Sequence, residues 1–283
     1  MTSSGVPEIP RGAIGIFDSG VGGLSVWKEV DSLLPQEHII YIADQAHIPY
    51  GPRPLSEVRS FAEGIVRFME EVGVKLVVVA CNTASAAALK HLRATFHMPI
   101  VGMEPAVKPA ALSTRTGKVG VIATPATFRG EPYARLLARY GQGVEVISRA
   151  CPGLVQIVER GELHSPATIG RLHDCLDDMV AKGMDQIVLG CTHYPFLRQA
   201  IEEVVGEGVR VIDPAPAVAA QTRRVLEREG LMREEGKPGS RLFFTTGDSP
   251  SALSGSLRRL LSVSAPVFTL RWLEGTLVLP IEY

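Results

Sequence analysis

Two short stretches decide the fold of this chain, "LVVVACNTASAAAL" (Leu76 to Leu89) and "QIVLGCTHYPFL" (Gln186 to Leu197). Each begins with an uninterrupted apolar run, which is typical of a strand covered on both faces in a parallel α/β sheet. Each run ends at a cysteine, Cys81 in the first stretch and Cys191 in the second. The first stretch continues into alanines that favour helix. We therefore predict two strand-to-helix joints that each carry a cysteine.

Six further apolar runs predict strands, and the pattern of runs repeats along the chain. They lie in "AIGIFDSG", "HIIYIAD", "PIVGMEP", "KVGVIAT", "VEVIS" and "RVIDP". Corresponding positions are Ala13 and Lys118, Tyr41 and Glu145, Cys81 and Cys191, and Glu104 and Asp213, at offsets of 105, 104, 110 and 109 residues. This repeat predicts two doubly wound α/β domains with mostly parallel sheets, related by a pseudo-twofold axis. We assign residues 1–104 plus 214–283 to the first domain and residues 105–213 to the second, with the active site in the cleft between them.

The composition is that of an ordinary globular protein, and the length suggests two domains. Of the 283 residues, 46% are hydrophobic and 21% are charged, and the formal net charge is −1. Without a basic surplus, nothing indicates a nucleic-acid partner or an anionic membrane surface. No window resembles a transmembrane helix. The start, "MTSSGVPEIPRG", lacks the pattern of a signal peptide, and we expect a short mobile tail on a cytoplasmic protein.

The four cysteines fall into two classes. Without a secretion signal we expect all four to be reduced thiols. A cysteine between a strand end and a helix start lies near unpaired N–H groups, which favours the thiolate and lowers the pKa from about 8.5. A single such cysteine is more often core filler, but two in matching joints favour function. Cys151 and Cys175 have no comparable setting and are interpreted as structural.

Other polar residues offer weaker signals. "DSGVGG", Asp18 to Gly23, predicts a turn whose N–H groups can hold a small anion, with Asp18 as a helix N-cap as the equal alternative. It lacks the dinucleotide fingerprint, since Ser25 stands at the third glycine position. Cysteines and histidines at 173–175 and 191–193 lack the spacing of a zinc finger, so no metal site is predicted.

Two thiols facing each other across a cleft suit reversal of a stereocentre, because one removes a proton and the other returns one on the opposite face. The motifs "FDSGVGGLSV", "PYG", "VVACNTASA", "GVIATPAT", a Cys-Pro…Val-Glu pattern ending at Glu159, and "GCTHYP" carry a family resemblance. Over nearly its whole length the chain resembles the glutamate racemases of the aspartate/glutamate racemase superfamily.

The resemblance implies cofactor-independent interconversion of L- and D-glutamate, supplying D-glutamate for peptidoglycan, by an enzyme that we expect to be a homodimer. It implies that Cys81 works on the D-glutamate face and Cys191 on the L-glutamate face, assisted by Asp18, His193 and Glu159. The residues implied to bind substrate are Asp18, Ser19, Pro49, Tyr50, Gly51, Asn82, Thr83, Thr127, Thr192 and His193.

The departures from the family pattern are Gln45, His47, Gln156 and the replacement of a serine near Gly130. Aspartate or hydantoin racemase is the nearest alternative within the enzyme class. A Cys–His hydrolase using Cys191 and His193, and a non-catalytic role such as inhibition of DNA gyrase, stay open as alternatives from other classes.

Overall fold

The computed structural model describes residues 7–234 and 236–280, so the first six residues of the predicted tail lie outside it. The described residues form twelve strands and eleven α-helices. The strands are β1 (Ile14–Asp18), β2 (Ile39–Ala43), β3 (Leu76–Val79), β4 (Ile100–Val101), β5 (Lys118–Ala123), β6 (Glu145–Ala150), β7 (Gln186–Gly190), β8 (Arg210–Ile212), β9 (Arg241–Thr245), β10 (Val267–Thr269), β11 (Arg271–Leu273) and β12 (Thr276–Val278).

Helices follow most of the strands, as an α/β fold requires. They are α1 (Leu24–Leu33), α2 (Leu55–Glu71), α3 (Asn82–Thr95), α4 (Val107–Ser113), α5 (Pro125–Arg129), α6 (Glu131–Tyr140), α7 (Leu154–Arg160), α8 (Pro166–Ala181), α9 (Arg198–Val205), α10 (Ala215–Arg228) and α11 (Pro250–Leu261). A 3-10 helix at Tyr194–Leu197 precedes α9.

Two parallel sheets repeat one strand order. The first sheet runs β10-β9-β2-β1-β3-β4 and the second runs β6-β5-β7-β8. In the first, β1 pairs in parallel with β2 and β3. In the second, β5 pairs in parallel with β6 and β7. All eight predicted strands are present, and the α/β class with mostly parallel sheets is confirmed.

The chain after β8 extends the first sheet. Helix α10 packs against α1, β9 pairs with β2, and β10 pairs with β9. Strands β11 and β12 form an antiparallel hairpin that contacts α2. None of these four strands was predicted from the sequence. The division into domains at 104/105 and 213/214 stays a prediction.

Apolar side chains of the first sheet fill the space on both of its faces. Ile14 and Ile16 contribute to one buried cluster, and Phe17, Ile40 and Ile42 contribute to another. Burial of each such side chain stabilises the fold by about 1.5–3 kcal/mol. This explains why the strand sequences are continuously apolar.

Parallel pairing brings the carboxyl ends of the strands in each sheet to one edge, where ligands bind in this class of fold. The residues just beyond β1, β2, β3, β5 and β7 therefore meet at those edges. Within the described ranges no helix has both the length and the apolar character needed to cross a membrane.

Candidate active site

Both strand-end cysteines lie on one cavity. Cys81 caps the start of α3, with its sulfur 3.5 Å from the N–H of Ala84, and Cys191 directly follows β7. A 3-10 helix rather than an α-helix follows Cys191, which differs from the predicted joint. Both thiols are free and buried, and both line a cavity of about 220 Å³. That volume lies below the usual range for drug-sized ligands and suits a small metabolite.

Most of the predicted site residues meet at this cavity. Its walls include Ser19, Pro49, Tyr50, Gly51, Cys81, Asn82, Thr83, Cys191, Thr192 and His193. Three predicted residues, Asp18, Glu159 and Thr127, lie behind the wall and reach it through hydrogen bonds. Among the described residues that line the cavity there is no lysine or arginine. A bound anion would therefore be held by hydroxyl, amide and backbone N–H donors.

Asp18 organises the turn that begins at the end of β1. Its carboxylate is fully buried and accepts the N–H groups of Gly20 (3.2 Å) and Gly23 (3.0 Å). The N–H of Val21 donates to Glu159 at 2.8 Å. These three N–H groups are therefore occupied by protein carboxylates, and anion binding by the rest of the turn stays a prediction. Gly23, not Asp18, occupies the N-cap position of α1.

Burial sets the charge preferences beside Cys81. It raises the pKa of Asp18, although His193 and the hydrogen bonds from the turn oppose the effect. Burial and the neighbouring Asp18 raise the pKa of Cys81 well above its ordinary value. The sequence analysis predicted a lowered pKa from the helix N-terminus; for Cys81 this is wrong, because the N–H of Ala84 is outweighed by desolvation. The raised pKa favours the neutral thiol form of Cys81.

A different set of groups assists Cys191. The Nδ1 atom of His193 lies 3.8 Å from the sulfur, and its Nε2 atom lies 2.8 Å from Oε1 of Glu159. Burial lowers the pKa of His193, but the hydrogen bonds with Cys191 and Glu159 outweigh it and hold the pKa well above the ordinary value. A protonated imidazole can therefore stabilise negative charge that forms on the sulfur of Cys191.

Two glycines of the first turn make room for this group. A Cβ on Gly20 would collide with Oε1 of Glu159, and a Cβ on Gly22 would collide with the ring of His193. Ser25 of α1 also donates to the backbone oxygen of Thr192 at 3.0 Å. The glycine pattern of "DSGVGG" thus allows the loop of the first sheet to approach side chains of the second.

Threonine hydroxyls link the two sheets on the other side of the cavity. The Oγ1 atom of Thr83 lies 2.8 Å from Oγ1 of Thr124, which lies 3.0 Å from Oγ1 of Thr127. Thr124 lines the cavity and caps α5, yet the sequence analysis did not select it. A threonine before proline at a strand end is an N-cap signature that marks this position.

Asn82 is a buried polar side chain placed to bind a ligand. It is 3% exposed and lines the cavity, and within the described part of the chain neither its amide oxygen nor its amide nitrogen has a hydrogen-bond partner. Buried polar atoms in native proteins are nearly always paired. The Asn82 amide is therefore available to both donor and acceptor groups of a bound molecule.

The "HIPYG" loop presents a tyrosine ring rather than its hydroxyl. The Tyr50 hydroxyl donates to Oδ2 of Asp44 at 2.5 Å. Asp44 is fully buried and also accepts from Trp272 (2.8 Å) and Thr246 (2.7 Å). His47, one of the departures from the family pattern, bonds to the same carboxylate at 2.9 Å. Asp44 was missed by the sequence analysis, although an Asp directly after a predicted strand marked it.

Cys151 and Cys175 form a disulfide, which corrects the expectation of four reduced thiols. Helix α8, which contains Cys175, packs against β6, which ends just before Cys151. The Cα atoms of the two cysteines are 5.9 Å apart, which is within the range for a disulfide. Cys175 is thereby removed from the hypothetical Cys/His metal set. Within residues 7–234 and 236–280 no cluster of three or more potential metal-ligating side chains occurs.

Comparison with known proteins gives a consistent result. A glutamate racemase of Herpetosiphon aurantiacus is 48% identical over 235 residues, covering 83% of this chain and 92% of the other. The crystal structure of a glutamate racemase isoform from Bacillus anthracis superposes with a TM-score of 0.83 at 35% identity, covering 93% of this chain and 98% of the other. A glutamate racemase from Francisella tularensis, solved in complex with D-glutamate, has a TM-score of 0.79 at 30% identity, covering 93% and 98%.

The sequence model of a single family spans strands β1 to β8 and both strand-end cysteines. It is described as Asp/Glu/Hydantoin racemase and matches residues 14–222, which include Asp18, Cys81, Cys191 and His193. With the relatives above, this match shows that the chain belongs to the Asp/Glu/Hydantoin racemase family.

Proposed function

We propose that this protein is a glutamate racemase that interconverts L- and D-glutamate by proton transfer at Cα between two thiols. The observation that carries the proposal is the placement of Cys81 and Cys191 after corresponding strands, β3 and β7, on one small cavity. Racemisation needs an acid and a base on opposite faces of one carbon. Since these residues supply both, the proposal requires no cofactor.

From L-glutamate to D-glutamate, Cys191 as thiolate removes the Cα proton and Cys81 as thiol donates one from the other face. The free protein suits this direction, because Cys81 holds its proton and the positive charge of His193 lies beside the sulfur of Cys191. Glu159 stabilises that charge from the far side of the imidazole at 2.8 Å.

From D-glutamate to L-glutamate, the roles reverse and Cys81 must first lose its proton. Asp18, whose charge acts on the Cys81 thiol, is a suitable acceptor, since burial raises the pKa of that carboxyl. The two thiols are thus assisted by different groups, a carboxylate for Cys81 and an imidazole for Cys191. The two cysteine segments correspond in sequence, but the groups that assist the two thiols differ.

Neutral donors on the cavity wall hold the substrate in this proposal. The unpaired amide of Asn82 and the hydroxyls of Ser19, Thr83 and Thr192 provide several donors for two carboxylates and an ammonium group. The Francisella tularensis relative bound to D-glutamate supports glutamate over aspartate or hydantoins as substrate. The product would serve peptidoglycan synthesis in the cytoplasm, and we propose a homodimer.

A second candidate has one observation in its favour. The order Cys191, His193, Glu159 with contacts of 3.8 and 2.8 Å matches the nucleophile, base and orienting group of a Cys–His hydrolase. That mechanism leaves Cys81 and the orphan Asn82 without a role.

Circular dichroism tests the proposal directly. Protein dialysed against EDTA, with no added cofactor, is incubated separately with L-glutamate, D-glutamate and both aspartates. We expect the signal of both glutamates to decay to zero and that of the aspartates to persist. Hydrolysis of a γ-glutamyl ester without loss of Cα stereochemistry would instead support the hydrolase.

A further inference from the structure

Gln45, one of the departures from the family pattern, lies between two parts of the molecule that meet at the active site. It follows β2 in the first sheet, and its amide nitrogen is 3.5 Å from Oε2 of Glu159 in α7, which follows β6 of the second sheet. Its amide oxygen accepts from the hydroxyl of Thr245 at 2.8 Å, at the end of β9. Gln45 does not line the cavity.

The hydrogen bonds around Gln45 fix which way its amide points. The backbone N–H of Gly247 donates to Oγ1 of Thr245 at 2.9 Å, so that hydroxyl is free to donate its own proton onward to Gln45. The amide oxygen of Gln45 therefore faces Thr245 and the NH₂ group faces Glu159.

The Glu159 carboxylate needs this donor on one of its two oxygens. Oε1 accepts from both Val21 (2.8 Å) and His193 (2.8 Å), whereas the described contact of Oε2 is with Gln45. The carboxylate is 17% exposed, so without Gln45 it can turn towards water. Such a rotation would move Oε1 away from the imidazole that assists Cys191.

We propose that Gln45 is a positioning residue, which holds the Glu159 carboxylate in the orientation that His193 requires and thereby links the end of β9 to Cys191. The proposal rests on the proposed racemase function, since it explains how one of the two thiols is assisted. Gln45 itself touches no reacting atom.

Four other charged or titratable groups surround this contact. His193 contacts Glu159 on the cavity side, and the charge of His193 in turn acts on Asp18. The charge of Glu159 also acts on Tyr41 of β2. Arg259 of α11 donates to the backbone oxygen of Glu159 at 3.3 Å. None of these donates to Oε2, so none replaces the amide of Gln45.

Two variants of the full-length protein test the proposal. Gln45→Leu removes both the donor to Glu159 and the acceptor for Thr245 at similar size. We expect kcat to fall about tenfold with little change in KM, as for loss of the hydrogen bond to the charged group. Gln45→Glu keeps the shape but places a second carboxylate against Glu159. Its protonated form can still donate, so its loss of activity relative to wild type should grow as pH rises and the new carboxyl ionises.

A control variant and a second readout separate positioning from general damage. Gln199→Glu adds the same charge on the exposed surface of α9 and should leave kcat and the pH profile unchanged. NMR titration of histidine imidazoles should show a lower pKa for His193 in Gln45→Leu than in wild type. Wild-type kcat in both Gln45 variants, or an unchanged His193 titration, overturns the proposal. If the wild-type protein did not racemise glutamate but Gln45→Leu still lowered the pKa of His193, the racemase function would be refuted and the positioning role of Gln45 would stand.

Discussion

The imidazole of His193 and the carboxylate of Glu159 are hydrogen-bonded at 2.8 Å across the boundary between a β7 loop and α7. Since an oxygen of an ionised carboxylate can only accept, Nε2 of His193 donates the proton in this hydrogen bond. The second ring nitrogen is left to exchange a proton, or share positive charge, with Cys191.

Replacing Glu159 by glutamine should lower the highest pH at which the protein stays active. The pKa of His193 is held well above its ordinary value with help from Glu159, so activity that needs the imidazolium persists to high pH in wild type. Removing the negative charge lowers that pKa, and the alkaline limb of kcat/KM should move to lower pH. We expect a loss of about tenfold to a hundredfold at the optimum.

The control for that experiment is Glu162→Gln, which removes a carboxylate from an exposed pair with Arg160. Its pH profile should coincide with that of wild type. An alkaline limb unmoved in Glu159→Gln would mean that His193 does not need its charge for catalysis.

Asn82→Leu should separate ligand binding from stability. Among residues 7–234 and 236–280 neither amide atom of Asn82 has a hydrogen-bond partner, so the substitution removes no described hydrogen bond and should keep or raise Tm. The substrate loses its partner, so KM should rise at least tenfold and glutamate should no longer raise Tm as it does in wild type.

Ser85, on the same helix, provides the converse control. Its hydroxyl donates to the backbone oxygen of Val79 and accepts from the N–H of Met103 at 2.9 Å. Ser85→Ala should therefore lower the free energy of unfolding by about 1–3 kcal/mol, with KM unchanged. If Asn82→Leu destabilised the free protein as much, the amide would have a structural partner and the ligand argument would fail.

The sequence was most informative where local pattern and tertiary position coincide. Continuous Val/Ile runs predicted eight strands because a strand buried on both faces has no polar period. The offsets near 105–110 residues anticipated the shared order β2-β1-β3-β4 and β6-β5-β7-β8. Strands β10 to β12 were not predicted from the sequence because each has only three residues, and most of those are partly exposed.

The environment of the thiols was beyond what local sequence determines. Capping of α3 by Cys81 was foreseeable, but the pKa of that thiol depends on burial and on Asp18, which is 63 residues earlier in the chain. Whether Tyr50 offers its hydroxyl to a ligand depends on Asp44, and the pairing of Cys151 depends on how α8 packs. These are long-range contacts without a local signature.

Thiol counting tests the pairing of Cys151 with Cys175. Protein purified without reductant and denatured in guanidinium should show two reactive thiols, Cys81 and Cys191, and four after reduction. A disulfide enclosing about 25 residues constrains the unfolded chain, so reduction should cost about 3 kcal/mol of stability. Four reactive thiols before reduction in oxidant-treated protein would show that the pair does not form.

Cysteine-to-serine variants test the two-thiol mechanism, but racemisation rates alone do not reveal which thiol acts on which enantiomer. The enantiomers have equal free energies, so kcat/KM must be equal in the two directions for every variant. The asymmetry has to be measured in a step that uses one thiol only, such as elimination from a glutamate analogue that requires deprotonation alone. Either Cys→Ala variant should abolish racemisation, because each direction then lacks its acid or its base.

Serine can donate a proton but is a far poorer base than a thiolate near neutral pH. We therefore expect Cys81→Ser to retain elimination from the L-analogue and lose it from the D-analogue, and Cys191→Ser to show the reverse. In D₂O the wild-type protein should place solvent deuterium mainly in the product enantiomer, since the second thiol donates a proton that has exchanged with solvent. If both serine variants lost elimination from the same enantiomer, Cys81 and Cys191 would not act on opposite faces of Cα, and the asymmetric support from Asp18 and His193 would need another explanation.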